Sequence, residues 1–226
     1  MKVRNLLLTL ALALGASSVW AVDNVSIVKP MSIKAGETKT IAVALDNSVD
    51  YTAFQFDIKL PTGLTIKEGS IKSLRADASH TIESATVDGA TRVVAYSAVA
   101  DESNNITDGN KPFTGVAGNF ILKFDVEAAN TYSNGNIEVS NVIFATPASV
   151  STEMAAVSSV DGAIFGDADN DKDLTAGDAS LVLQFVANKI TADKVNYKAI
   201  DVDVDGSATA GDASLILQKV AGKISK

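Results

Sequence analysis

No cysteine occurs in this chain of 226 residues, and histidine and tryptophan occur once each. Disulfides and thiolate metal sites are therefore excluded, and any small unit in the chain needs another staple. With His80 the single imidazole, Ser–His and Cys–His catalytic machinery is not expected. Positive charge is also scarce: 19 Lys and Arg stand against 27 Asp and Glu, a net charge of −8. No basic cluster is present to meet phosphates, so a nucleic-acid partner is not expected. Long apolar runs are missing too. The stretch Leu6–Leu14, inside MKVRNLLLTLALALGASSVWA, is too short to span a bilayer. It follows Lys2 and Arg4 and precedes Val19 and Ala21, so residues 1–21 read as a secretory signal peptide cut after Ala21. The protein is then expected to be secreted, with no membrane span, and Trp20 leaves with the leader. No cysteine follows the cut to carry a lipid.

What remains, about 205 residues, suffices for one large or two modest domains. Two periodicities divide it. From about residue 22 to residue 164, apolar residues recur at every second position, as in KTIAVALD, AFQFDIKLP, RVVAYSAV, GNFILKFDVE and NIEVSNVIFA. In the second of these Phe54, Phe56, Ile58 and Leu60 point one way, and Gln55, Asp57 and Lys59 the other. Turn signals such as Asp88-Gly89 and Asn134-Gly135 separate the runs. Eight to ten short strands spaced this way predict an antiparallel, jelly-roll-like β-sandwich. From about residue 165 to 226 the spacing becomes helical, in ASLVLQFVANK and ASLILQKVAGK. Each of these helices opens on Thr-Ala-Gly-Asp, the pattern of a capping box, and should stop near Asn188 and Gly222. The expected fold class is mainly β with a small α domain.

The heptad TAGDASL occurs twice, at 175–181 and 209–215. Extended backwards, the copies become DADNDKDLTAGD, 167–178, and DVDVDGSATAGD, 201–212. Both place acids at positions one, three, five and twelve, the ligand spacing of an EF-hand calcium loop. A hard cation needs several oxygens within about 2.3–2.6 Å of one point, and alternate positions of a tight loop supply them. The candidate ligands are Asp167, Asp169, Asp171, Asp173, Thr175 and Asp178 in the first loop. In the second they are Asp201, Asp203, Asp205, Ser207, Thr209 and Asp212. Position seven contributes its backbone carbonyl and position nine reaches the ion through water. Two Ca2+ ions are expected. Without them the carboxylates repel, so binding and folding should be coupled, which is the missing staple. Position six must turn left-handed; it is Gly206 in one loop but Lys172 in the other. A side chain there costs about 1–2 kcal/mol, so the first site is expected to bind more weakly.

No helix precedes the first loop, where VSSVDGAIFG carries no helical stripe, and position twelve is Asp in place of the usual Glu. Paired loop–helix halves 34 residues apart resemble a type I dockerin, over 165–226. That resemblance implies a calcium-dependent plug that binds a partner cohesin. It also implies that positions ten and eleven, Ala176-Gly177 and Ala210-Gly211, read the partner. Because the two pairs are identical, either of two orientations is open to it. The local reading is that these small residues simply start helices well.

Residues 22–164, chiefly IAVALDNSVDYTAFQFDIKLPTGLTI and GVAGNFILKFDVEA with GNIEVSNVIFA, resemble the strands of a cohesin. Carbohydrate-binding modules of the same broad superfamily look alike at this level. Sugar stacking favours exposed rings, and after loss of Trp20 only Tyr51, Tyr96 and Tyr132 are candidates. The acids Glu68, Glu83, Asp101, Glu102 and Glu138 read as solvated surface rather than as a glycosidase pair, and no enzyme is expected. The expected function is a non-catalytic adaptor in a cellulosome-like, polysaccharide-degrading assembly, the sandwich receiving a dockerin-bearing protein. The alternative is a carbohydrate-binding module, its sandwich holding a polysaccharide, delivered by its dockerin. An adhesive or inhibitory sandwich is a third reading. The near absence of a linker predicts a fixed orientation of the two parts, with self-docking hindered.

Overall fold

The computed structural model describes residues 23–97, 111–115 and 119–225. The expected leader, 1–21, and the acids Asp101 and Glu102 lie outside the described residues. Eleven strands are described: β1 (Asn24–Lys29), β2 (Thr38–Asp46), β3 (Ala53–Lys59), β4 (Leu64–Ile66), β5 (His80–Val87), β6 (Ala90–Ser97), β7 (Phe120–Ala128), β8 (Glu138–Ala145), β9 (Ser151–Met154), β10 (Val157–Ser158) and β11 (Ala163–Ile164). Helices α1 (Ala176–Val186) and α2 (Ala210–Val220) follow, with a 3-10 turn at Ala192–Lys194 between them.

The strands form two sheets. One has the order β11-β1-β2-β7-β4; the other runs β10-β8-β3-β6-β5, with β9 beside β8. Alternation explains the layering. Ile41, Val43 and Leu45 of β2 and Phe54, Phe56 and Ile58 of β3 all enter the core between the sheets, where Phe124 and Phe144 meet them. Each such apolar side chain contributes about 1.5–3 kcal/mol on leaving water. The pairing is antiparallel except at β1–β11, which run parallel through Val28–Ala163 and Lys29–Ile164. A parallel neighbour needs a long crossover, and here the rest of the sandwich is that crossover. Two very short strands, β10 and β11, take the count past the expected eight to ten. They are too short for any periodicity to register in sequence.

The outward face of a strand is not always wet. Ala42 and Ala44 of β2, Val28 and Phe120 point away from the main core yet are buried, in a separate cluster with Phe165 and Val204. The C-terminal part covers this face of the β1-β2-β7 sheet. Lys198 pairs with Asp46 and the Ser225 hydroxyl donates to Glu37. The two parts thus share a packed interface, and the outer face of the β8-β3-β6-β5 sheet, free among the described residues, lies on the opposite side of the sandwich. Asp57, on that free face, is also buried rather than solvated. Arg92 grips it with two bonds, 2.6 and 2.8 Å, and Asn141 donates a third at 2.6 Å. These bonds, that from Arg92 first, hold its carboxyl below the ordinary range. Glu68, Glu83 and Glu138 are exposed, as expected.

Candidate metal centre

The repeated heptad builds the same helix start twice. Thr175 and Thr209 are N-caps in extended conformation, and both capping boxes are complete. Each threonine hydroxyl accepts from the amide two residues on, Gly177 or Gly211, at 3.0 Å. Asp178 and Asp212 accept from the threonine amides at 2.8 Å. Glycine at position eleven has a local reason: a Cβ at Gly177 or Gly211 would lie 3.1 Å from that threonine oxygen.

Each helix acid also reaches back across its loop. Asp178 Oδ1 accepts from the Ala168 amide at 2.8 Å, and Asp212 Oδ1 from the Val202 amide at 2.7 Å. Both acids are fully buried, as is Asp167, and Asp201 nearly so. The loops coil tightly enough to converge their carboxylates. Oxygens of Asp167, Asp169 and Asp171 lie within 4.8 Å of one another, and so do those of Asp201, Asp203 and Asp205. Loop amides aim at the first acid: Asp171 and Lys172 donate to Asp167 at 3.1 Å, and Asp205 and Gly206 donate to Asp201 at 3.1 and 2.8 Å. Asp173 turns its side chain onto the Leu174 amide at 2.8 Å, which suits a position that offers its carbonyl. Ser207, its counterpart, is exposed. The Thr175 and Thr209 hydroxyls are engaged in the caps, donating to Asp178 and Asp212 at 3.1 and 3.0 Å.

Three converging carboxylates with a buried fourth fit a hard divalent cation of the calcium type. Electrostatics agree. Burial pushes the Asp201 carboxyl up to about 6, with the charges of Asp212 and Asp205 adding to it; burial raises Asp167 and Asp203 as well. A cation would relieve all three. The sign of the pH response follows from linkage. The folded chain holds the Asp201 proton more tightly than the unfolded one, whose carboxyl titrates near 3.8. In chelator this group therefore stabilises the fold at low pH, and the gain is lost as pH rises through about 6. With calcium present, the same proton competes with the ion. Thermal midpoints at pH 5.5 and 7.5 should be ordered oppositely in chelator and in calcium.

Backbone geometry refines the expected ranking of the loops. Lys172 is left-handed, φ +72°, as its position demands, and Gly206 has φ +103°. Position four is left-handed too, at Asn170 (φ +61°) and Val204 (φ +57°). Asparagine tolerates that region; a β-branched residue does not. Each loop thus carries one costly residue, Lys172 in the first and Val204 in the second. Valine at position four was the available signal, and the ligand pattern alone passes over it.

Ala176, Gly177, Ala210 and Gly211 are all exposed in the first turns of α1 and α2. Leu183 and Leu217, equivalent in the repeat, are each 45 % exposed, with Val186 beside them on α1. The helices pack through Ala179, Val182, Ala213 and Ile216, and these exposed apolar residues lie outside that cluster. On the sandwich, Tyr51 and Tyr132 are buried, while Tyr96 is half-buried. Tyr51 donates to Asp23 at 2.7 Å. Tyr96 edges a shallow apolar depression on the free sheet face, with Ala53, Val94, Ile143 and Ala145. No described helix is long and apolar enough to cross a membrane.

Curated proteins offer no match to this chain. Among solved structures, the cohesin module of a family 33 glycoside hydrolase from Clostridium perfringens is 12 % identical, covering 61 % of this chain and 93 % of that one, with a TM-score of 0.43. The third cohesin of ScaC from Acetivibrio cellulolyticus, solved with the ScaB dockerin, is 14 % identical over 60 % and 96 % of the two chains, TM-score 0.42. A non-cellulosomal cohesin from Archaeoglobus fulgidus is 10 % identical over 60 % and 88 %, TM-score 0.39. For the C-terminal part the correspondence is to a family. Residues 165–221 match the model of the dockerin type I domain, and this unit of the chain is a type I dockerin.

Proposed function

We propose that this protein is a secreted, non-catalytic adaptor whose dockerin binds two Ca2+ ions and then a cohesin of another protein. The observation that carries the reading is the pair of acidic loops, each converging three aspartates and locked to a boxed helix start, inside a segment matched as a dockerin. The ions are assigned to Asp167, Asp169, Asp171, Asp173, Thr175 and Asp178, and to Asp201, Asp203, Asp205, Ser207, Thr209 and Asp212. They neutralise the carboxylates and set the helices so that Ala176, Gly177, Ala210 and Gly211 face outward beside Leu183 and Leu217. A cohesin is the partner class because a dockerin is bound by one in the Acetivibrio cellulolyticus complex.

The sandwich is assigned to protein binding through the free face of its β8-β3-β6-β5 sheet, in a cellulosome-like assembly. An apolar depression with one half-buried tyrosine suits a packed protein surface. Sugar stacking would use exposed aromatic platforms, and the sandwich phenylalanines are buried in its cores. The dockerin sits on the opposite sheet, so it does not reach that face of its own chain. The test is capture of cohesins from a panel by the full chain, in calcium and in chelator, together with capture of dockerin-bearing proteins. Calcium-dependent capture of a cohesin, and loss of dockerin capture in Val94→Arg, are expected. Retardation in polysaccharide gels without any dockerin capture would favour the carbohydrate reading of the sandwich.

A further inference from the structure

Val204 stands at position four of the second loop in a left-handed conformation that strains a β-branched side chain, yet it is 2 % exposed. Its equivalent in the first loop, Asn170, is exposed. The difference lies in what Val204 touches. Its side chain fills a cluster with Val28, Ala42, Ala44, Phe120 and Phe165 on the outer face of the β1-β2-β7 sheet. Its carbonyl accepts a 2.6 Å bond from the Lys123 ammonium of β7. That carbonyl belongs to the peptide whose amide is Asp205 N–H. The peptide is planar and trans, so its two ends point opposite ways. Lys123 holds one end; the other donates to Asp201 at 3.1 Å and to Asp203 at 3.2 Å.

We infer that Lys123 is a positioning residue for the second cation loop. It acts through the Val204 peptide, with the sandwich face as the template against which that loop is held. The inference rests on the calcium reading proposed above. It gives the sandwich a second role, in which a side chain from one of its strands prepares the second cation site. Because coupling between sites is reciprocal, calcium in the second loop in turn stabilises the strand that holds it.

Two amides report the sites separately. Gly206 N–H and Lys172 N–H each donate to the first acid of their own loop, so their proton resonances move when that carboxylate binds an ion. Calcium titration of the full chain, followed by both resonances, is the experiment. In Lys123→Met the Gly206 midpoint should move to about tenfold higher calcium, the scale of a charged bond to a buried carbonyl. The Lys172 midpoint should not move, and Lys123→Arg should restore most of the loss. Unchanged Gly206 behaviour in a folded Lys123→Met, or an equal shift at both amides, overturns the inference. If neither amide of the unmutated chain responds to calcium, the calcium reading falls first and takes this inference with it. Should Lys123→Met fail to fold, hydrogen exchange of β7 in the unmutated protein decides. Slower exchange in calcium than in chelator is expected; equal exchange overturns the proposal.

Discussion

The double variant Asp167→Ala/Asp201→Ala should lose cohesin capture by at least a hundredfold and most of its helical signal, while the sandwich stays folded. These two acids begin the loops. Each accepts two loop amides and sits with two further carboxylates inside one 4.8 Å cluster. Removing them takes away the groups that hold each coil closed and, on the proposed assignment, the first ligand of each ion. The C-terminal unit cannot compensate with apolar packing. Its core is small, built on Leu174, Val182, Ile200 and Ile216 with several alanines, and such a unit usually needs a metal or a disulfide. Structural ions of this kind supply folding energy directly. Circular dichroism with and without calcium, beside cohesin pull-down, checks both halves. Retained helicity with lost capture would place the acids in the docking surface instead of the scaffold.

Gly166→Ala should destabilise the C-terminal unit by about 2–5 kcal/mol, combining left-handed strain with overpacking. Gly166 lies between β11 and the first loop with φ +96°. A Cβ there would sit 2.8 Å from Leu174 Cδ1 and 3.0 Å from Ile216 Cγ1. Neither neighbour can swing away, because both are buried in the same cluster. Gly166 N–H also donates to the Ala199 carbonyl at 2.7 Å, tying the first loop to the segment ahead of the second. The fall in thermal midpoint of the full chain in calcium measures the effect. A midpoint within a degree of the parent would mean that the two loops can separate without cost.

The sandwich was legible because its strands obey a period of two: Phe54, Phe56 and Ile58 enter the core as the alternation of AFQFDIKL requires. The convergence of the acidic loops was legible because alternate acids in a tight coil turn to one side, and Thr175 with Asp178 forms the capping box that its letters imply. What escaped is contact between parts distant in sequence. Ala42 and Ala44 alternate with Ile41, Val43 and Leu45 like any half-buried strand, and nothing local says that Val204, far along the chain, covers them. Asp57 reads as an outward, wet acid, and only the fold brings Arg92 and Asn141 to it. Burial of Tyr51 and Tyr132 was equally out of reach, since both lie in loops, before β3 and after β7, where no alternation separates inward from outward side chains. Side-chain chemistry that acts within a dozen residues is written locally; pairing across sheets and between parts is not.

In the proposed reading, two acidic coils each hold one ion and thereby order the tail into a docking surface. Native mass spectrometry of the full chain at increasing calcium, run beside thermal unfolding, decides it. Two calcium ions per chain, accompanied by a rise in the unfolding midpoint and in helicity, is the predicted result. A chain that binds no calcium, or keeps its full helicity and midpoint after exhaustive chelation, contradicts it.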